Sequence, residues 1–178
     1  MEGSEQGYPD QLRPGLHRDR EGTGWRVWAR RGLLAIFALI SLLGLLDVFG
    51  QQPSTATASG PGAVVAVQMP DAVRGGLIFQ MRVTVEAKKR IDSLRLVMDP
   101  SLYDGMTFNS MTPGAVQETD RDGRPVYQYG TLPQGTRYVI WFQCSVNPTN
   151  VGRRGATLEV DDGTTPLATV HRSLAVYP

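Results

Sequence analysis

Apolar and polar positions divide the chain into one unbroken apolar run and a long series of alternating ones. Residues 32–50, GLLAIFALISLLGLLDVFG, carry a single charge, Asp47. Those 19 residues, at a rise of about 1.5 Å each, span about 28 Å, close to the hydrocarbon thickness of a bilayer. A helix satisfies its own backbone hydrogen bonds in lipid, so the run predicts a transmembrane helix. From residue 63 the period changes to two. Leu77, Phe79, Met81, Val83 and Val85 alternate with Ile78, Gln80, Arg82 and Thr84, the pattern of a strand with one apolar face. Tyr138, Ile140, Phe142, Cys144 and Val146 alternate with Arg137, Val139, Trp141, Gln143 and Ser145. This second run is the strongest and predicts a central strand. Leu94, Leu96 and Met98 alternate with Ser93, Arg95 and Val97, and weaker alternation predicts strands at 63–69, 106–111, 115–119, 126–129, 156–160 and 167–176.

Turn signals fall between these runs: Gly75-Gly76, Asp104-Gly105, Pro113-Gly114, Asp122-Gly123, Pro133-Gln134-Gly135, Asn147-Pro148 and Asp162-Gly163. Eight or nine short strands with frequent turns and no amphipathic helix predict a mainly β fold, an antiparallel β-sandwich. The last apolar strand runs almost to Pro178, which ties it into a sheet. Four segments follow: a disordered tail over 1–31, the transmembrane helix over 32–50, a flexible linker over 51–62 (QQPSTATASGPG) and the sandwich over 63–178.

The order GLIFQMRVTV (76–85), LYDGM (102–106) and GTLPQG (130–135), followed by a long strand over 136–146, resembles bacterial immunoglobulin-like surface modules. The resemblance covers 63–177. It implies an immunoglobulin-like sandwich at a cell surface and no catalytic residues. The disulfide framework of antibody domains is absent: Cys144 is the one cysteine, and Trp141 lies beside it in sequence.

Charge around the apolar run sets an orientation. Arg18, Arg20, Arg26, Arg30 and Arg31 precede it, and after it no Lys or Arg occurs before Arg74. The positive-inside rule therefore puts the N-terminus in the cytoplasm and the C-terminal domain outside the plasma membrane, with the lipid bilayer as partner of residues 32–50. Trp25 and Trp28 fit the inner interfacial belt, with Phe49 near the outer end. A cleaved export signal is the competing expectation. Arg30-Arg31 resembles a twin-arginine start and Ala56-Thr57-Ala58 a cleavage site, but the apolar run exceeds the usual length of about 7–15 residues and the site lies well beyond its end. Small residues recur every third position, Gly32, Ala35, Ala38, Ser41 and Gly44, and would let a partner helix approach. A spacing of three drifts about 60° per step, so these positions wind around the helix and form no single flat face.

The formal net charge of +1 offers no field for nucleic acid. The basic residues are 16 Arg against Lys88 and Lys89, a bias of high-GC, actinobacterial-like composition. Chemistry is sparse. His17 falls in the tail, so His171 and Cys144 are the single histidine and thiol after the apolar run, too few for a zinc site and a nucleophile pair only if they meet in space. Asp120-Arg121-Asp122-Gly123 opens like a calcium loop, but Arg124, next to Pro125, and Thr131 stand where further ligands belong. Asp161-Asp162-Gly163 reads as a solvated hairpin turn. No metal and no cofactor is expected.

Val139 and Trp141 oppose the apolar face of the strongest strand and mark a candidate partner contact; Tyr127 and Tyr129 share a face of their own strand. The expectation is a single-pass, membrane-anchored binding or accessory subunit without catalytic activity, whose partner lies in the membrane or the cell envelope. The alternatives are an envelope hydrolase or transferase using acidic residues on the sandwich, or a secreted sandwich released by cleavage.

Overall fold

The computed structural model describes residues 24–46 and 51–178. The chain divides into two units, 1–50 and 51–178.

In the first unit Gly24–Leu45 forms a 22-residue helix, α1, with no buried residue. It is long and apolar enough to cross a membrane by length and composition, the one such helix among the described residues. The helix begins eight residues before the apolar run, which corrects the disordered tail over 24–31. Trp25, Trp28, Arg30 and Arg31 belong to its first turns, and the Arg31 guanidinium lies 5.5 Å from the centre of the Trp28 ring, three residues back on the same face. The chain leaves the helix at Leu46, whose N–H still reaches Leu42 O at 2.9 Å. The expectations placed on 1–23 and on Asp47 and Phe49 lie outside the described residues.

The second unit is a two-sheet sandwich. Its strands are β1 (Pro53–Ser59), β2 (Ala63–Pro70), β3 (Ala72–Arg74), β4 (Ile78–Ala87), β5 (Ile91–Met98), β6 (Met106–Thr112), β7 (Gln117–Arg121), β8 (Arg124–Leu132), β9 (Arg137–Val146), β10 (Gly152–Asp162) and β11 (Thr165–Tyr177), with a one-turn helix α2 (Pro100–Tyr103) between β5 and β6. Sheet A runs β1-β2-β4-β9-β6 and sheet B runs β3-β11-β10-β5-β8-β7. Pairing is antiparallel except where β3 meets β11 in parallel.

Period-two alternation translates directly into layers. Phe79, Met81, Val83 and Val85 of β4 and Ile140, Phe142, Cys144 and Val146 of β9 are buried and face Leu94, Leu96 and Met98 of β5 and Leu158 and Val160 of β10. Burying each such aliphatic side chain contributes about 1.5–3 kcal/mol. Leu77 drops out of the expected strand and is exposed, since β4 starts at Ile78. The long β9 is an interior strand of sheet A, paired to β4 on one side and to the edge strand β6 on the other; the middle of the sheet is β4.

The linker expected over 51–62 is instead a strand over most of its length. Pro53–Ser59 pairs antiparallel with β2 from Pro53↔Pro70 to Ser59↔Val64. Its residues are small, so it lacks a hydrophobic signature, yet Ser54, Ala56 and Ala58 alternate inward and Ala56 and Ala58 pack on the core. The turn that follows requires glycine: a Cβ on Gly60 would lie 1.6 Å from the Leu167 carbonyl oxygen. The sandwich therefore begins at residue 53.

One flank of the sandwich, where β1, β2 and β11 meet, is closed by a single arginine. Arg172 shares the inward face of β11 with Val170 and Leu174, and its side chain is 6% exposed. Its guanidinium donates to Ser54 O at 2.9 Å, Val67 O at 3.3 Å and Met69 O at 3.4 Å, and to Ser54 Oγ and Asp71 Oδ1. A planar fork of donors can serve several acceptors at once, which suits it to stitching a strand of one sheet to two of the other.

Candidate functional site

Trp141 sits in mid-strand on β9, and its indole turns away from the core because Ile140 and Phe142 on either side turn in. It remains 36% exposed, an uncommon position for so large an apolar surface. Register places a row of side chains across sheet A: Gln68 of β2 opposite Arg82 of β4, Arg82 opposite Trp141, and Trp141 opposite Thr112 of β6. The Arg82 guanidinium lies 5.1 Å from the Trp141 ring centre, a cation–π contact that holds the indole in place. The next row is Gln80, Gln143 and Ser110, with Ser110 Oγ donating to Gln143 Oε1 at 3.3 Å. Val139 is half-buried opposite Thr84, one step along the same outer face. A shallow pocket of about 260 Å³ opens here, lined by Trp141, Arg82, Gln68, Gln80, Gln51 and Pro53 with their neighbours. The face combines a fixed aromatic plane with amide donors and acceptors and one cation, a surface suited to recognition.

The other expected contacts lie on α1. Gly32, Ala35, Ala38, Ser41 and Gly44 are all exposed, and a Cβ added to Gly32 or Gly44 would meet nothing within 4 Å.

The candidate catalytic groups do not converge. Cys144 is buried on the core face of sheet A, and burial pushes its thiol up to about 12. His171 is exposed on the outer face of sheet B, with Nδ1 at 3.2 Å from Thr157 Oγ1 of the paired residue. The two therefore face opposite sides of different sheets. The calcium-like segment is a hairpin turn: Asp122 adopts φ 56° and Asp120 Oδ1 accepts from the Gly123 N–H at 2.8 Å. No group of three or more His, Cys, Asp or Glu that could hold a metal occurs among the described residues.

Asp161 departs from expectation. The sequence predicts a solvated turn residue, but Asp161 is wholly buried at an irregularity in β10 between Val160 and Asp161. Its Oδ2 accepts from Arg121 Nη2 at 3.0 Å and its Oδ1 has no hydrogen-bond partner among the described residues. Burial raises its pKa above the ordinary carboxylate range, and the like charge of Glu159 adds to that. Glu159 itself pairs with Arg124 at 2.7 Å. Asp162, by contrast, serves the turn by accepting from the N–H groups of Asp92 and Ser93. The two neighbouring carboxylates, Glu159 and Asp161, are thus each engaged by an arginine of the β7–β8 hairpin.

No family model and no curated protein matches the chain. Among solved structures it is similar to a non-cellulosomal cohesin from the hyperthermophilic archaeon Archaeoglobus fulgidus, at 14% identity and a TM-score of 0.42 over 71% of this chain and 92% of that one. CaCohA2 from Clostridium acetobutylicum matches at 11% identity and a TM-score of 0.43, again over 71% and 92%. The CARDB domain of a Pyrococcus furiosus protein, solved in complex with di-metal ions, matches at 14% identity and a TM-score of 0.39 over 71% and 96%. Similarity of this degree carries nothing about what this chain binds or does.

Proposed function

We propose that the chain is a membrane-anchored, non-catalytic binding module. In this reading α1 crosses the plasma membrane with its N-terminus in the cytoplasm, the sandwich lies outside, and the outer face of sheet A around Trp141 docks a membrane-protein or cell-envelope partner. The observation that carries it is Trp141 itself: an indole held by Arg82 in the middle of an exposed sheet face. Buried at an interface, a tryptophan with such support typically dominates the binding energy. The arginines that precede the apolar run, Arg26, Arg30 and Arg31 within α1 among them, support the orientation. A released, secreted form is disfavoured by β1: cleavage after Ala58 would remove every residue of that strand except Ser59.

Full-length protein purified from its native membrane in detergent, after chemical crosslinking, tests the reading. Trp141→Ala is expected to reduce partner recovery by at least about tenfold, the scale of a central interface tryptophan. Thr157→Ala, on the outer face of sheet B, is expected to leave recovery unchanged. Equal recovery with Trp141→Ala would move the interface elsewhere.

A further inference from the structure

The flank of the sandwich opposite Arg172 is built differently. Here the edge strand of sheet A, β6, and the edge strand of sheet B, β7, leave a pocket of about 360 Å³. Three of its lining residues, Tyr103, Phe108 and Tyr127, are aromatic. Tyr103, at the end of α2, stacks on Phe108 of β6 with ring centres 5.6 Å apart and planes 17° from parallel. Tyr127 of β8, only 7% exposed, forms another part of the lining. Phe108 and Tyr127 both pack edge-on to the fully buried Phe142, at 5.8 Å and 6.2 Å, so one core ring braces both. Met111 is fixed too, since the Tyr129 hydroxyl donates to its sulfur at 2.6 Å.

Glu118 is the one charged residue in this lining, and it stands directly opposite Tyr127 in the β7–β8 register. From these features we propose that the pocket between β6 and β7 binds a quaternary ammonium group, of the choline type. Aromatic faces present negative potential to a cation, and a carboxylate at the rim complements its charge. The lining also selects among cations. A primary ammonium is compact and strongly hydrated, so it loses more on leaving water for an aromatic lining than a methylated one does. Burial, with the nearby Tyr103 phenol and Glu118 carboxylate as lesser causes, pushes the Tyr127 phenol up to about 12, so it stays neutral. This site does not depend on the role given to Trp141.

The test is titration of the full-length protein in a non-ionic detergent with choline chloride, followed by calorimetry. Saturable one-to-one binding is expected. The neutral isostere 3,3-dimethylbutan-1-ol and the primary amine ethanolamine are each expected to bind at least about tenfold more weakly. Glu118→Gln and Tyr103→Leu, both at exposed positions, are each expected to weaken choline by about five- to tenfold, and Trp141→Ala to leave it unchanged. An isostere that binds as well as choline would make the pocket merely apolar and overturn the proposal. So would undiminished binding by both variants, or no saturable binding by the intact protein.

Discussion

Asp161 is the residue whose energetics run against its surroundings. One carboxylate oxygen faces Arg121, the other has no hydrogen-bond partner among the described residues, and Glu159 adds a like charge. A buried charge half-satisfied in this way costs stability. Burial raises its folded-state pKa above the unfolded value of about 3.9, so the fold favours the protonated form. That contribution is fully present below the unfolded pKa and is lost as pH rises through the folded one. Asp161→Asn is therefore expected to be at least as stable as the parent at pH 7, with its advantage shrinking toward pH 4, measured by urea unfolding. Arg121→Met should do the reverse at pH 7, costing about 1–3 kcal/mol by leaving the carboxylate unpaired, and little at pH 4. Sequence could not reveal this burial. Asp161-Asp162-Gly163 has the composition of an ordinary turn, and what covers Asp161 is an arginine 40 residues earlier on the chain.

Among elements, the long alternating strands were legible because their side chains decide their own environment. Ile140, Phe142 and Cys144 have one place to go, and β9 follows. The strand β1 was not legible, since Ser, Thr, Ala and Pro give no apolar contrast; the signal available was only the period of two among Ser54, Ala56 and Ala58. Its anchor, Arg172, lies 118 residues away. The aromatic pocket was hidden for a similar reason, as Tyr103, Phe108, Glu118 and Tyr127 come from four elements that only sheet order brings together. Which face of β9 holds Trp141 follows from its neighbours, but whether that face meets the other sheet or the outside is settled only by the pairing of layers. Arg172→Met is expected to lower stability by about 2–3 kcal/mol through loss of charge-assisted hydrogen bonds. Ser54→Ala should cost about 1 kcal/mol. Both are read by chemical denaturation, and equal effects would deny the arginine its role as the flank's principal tie.

On the scale of the whole molecule, α1 and the sandwich are separate units joined by a short stretch of chain. The bilayer proposed for α1 is tested by fractionation. The full-length protein is expected to remain in the membrane pellet after alkaline carbonate washing. Protease added to intact spheroplasts is expected to remove an epitope placed after Pro178 and to spare one placed before Met1. Release into the carbonate supernatant would contradict the anchor, and protection of the C-terminal epitope would reverse the orientation.

The strand status of β1 has one more consequence. Between Leu45, where α1 ends, and Pro53, where the sheet begins, only residues 46–52 remain. A tether of so few residues, at about 3.3–3.6 Å each, reaches no more than about 25 Å. With α1 in a bilayer, a tether of that length bounds how far the sandwich can move from the membrane surface. For a neighbour embedded in the same membrane, a short tether corresponds to an effective concentration of about millimolar once the two lie side by side. A contact too weak to survive dilution in solution can then stay occupied at the membrane, and its occupancy is set by lateral proximity.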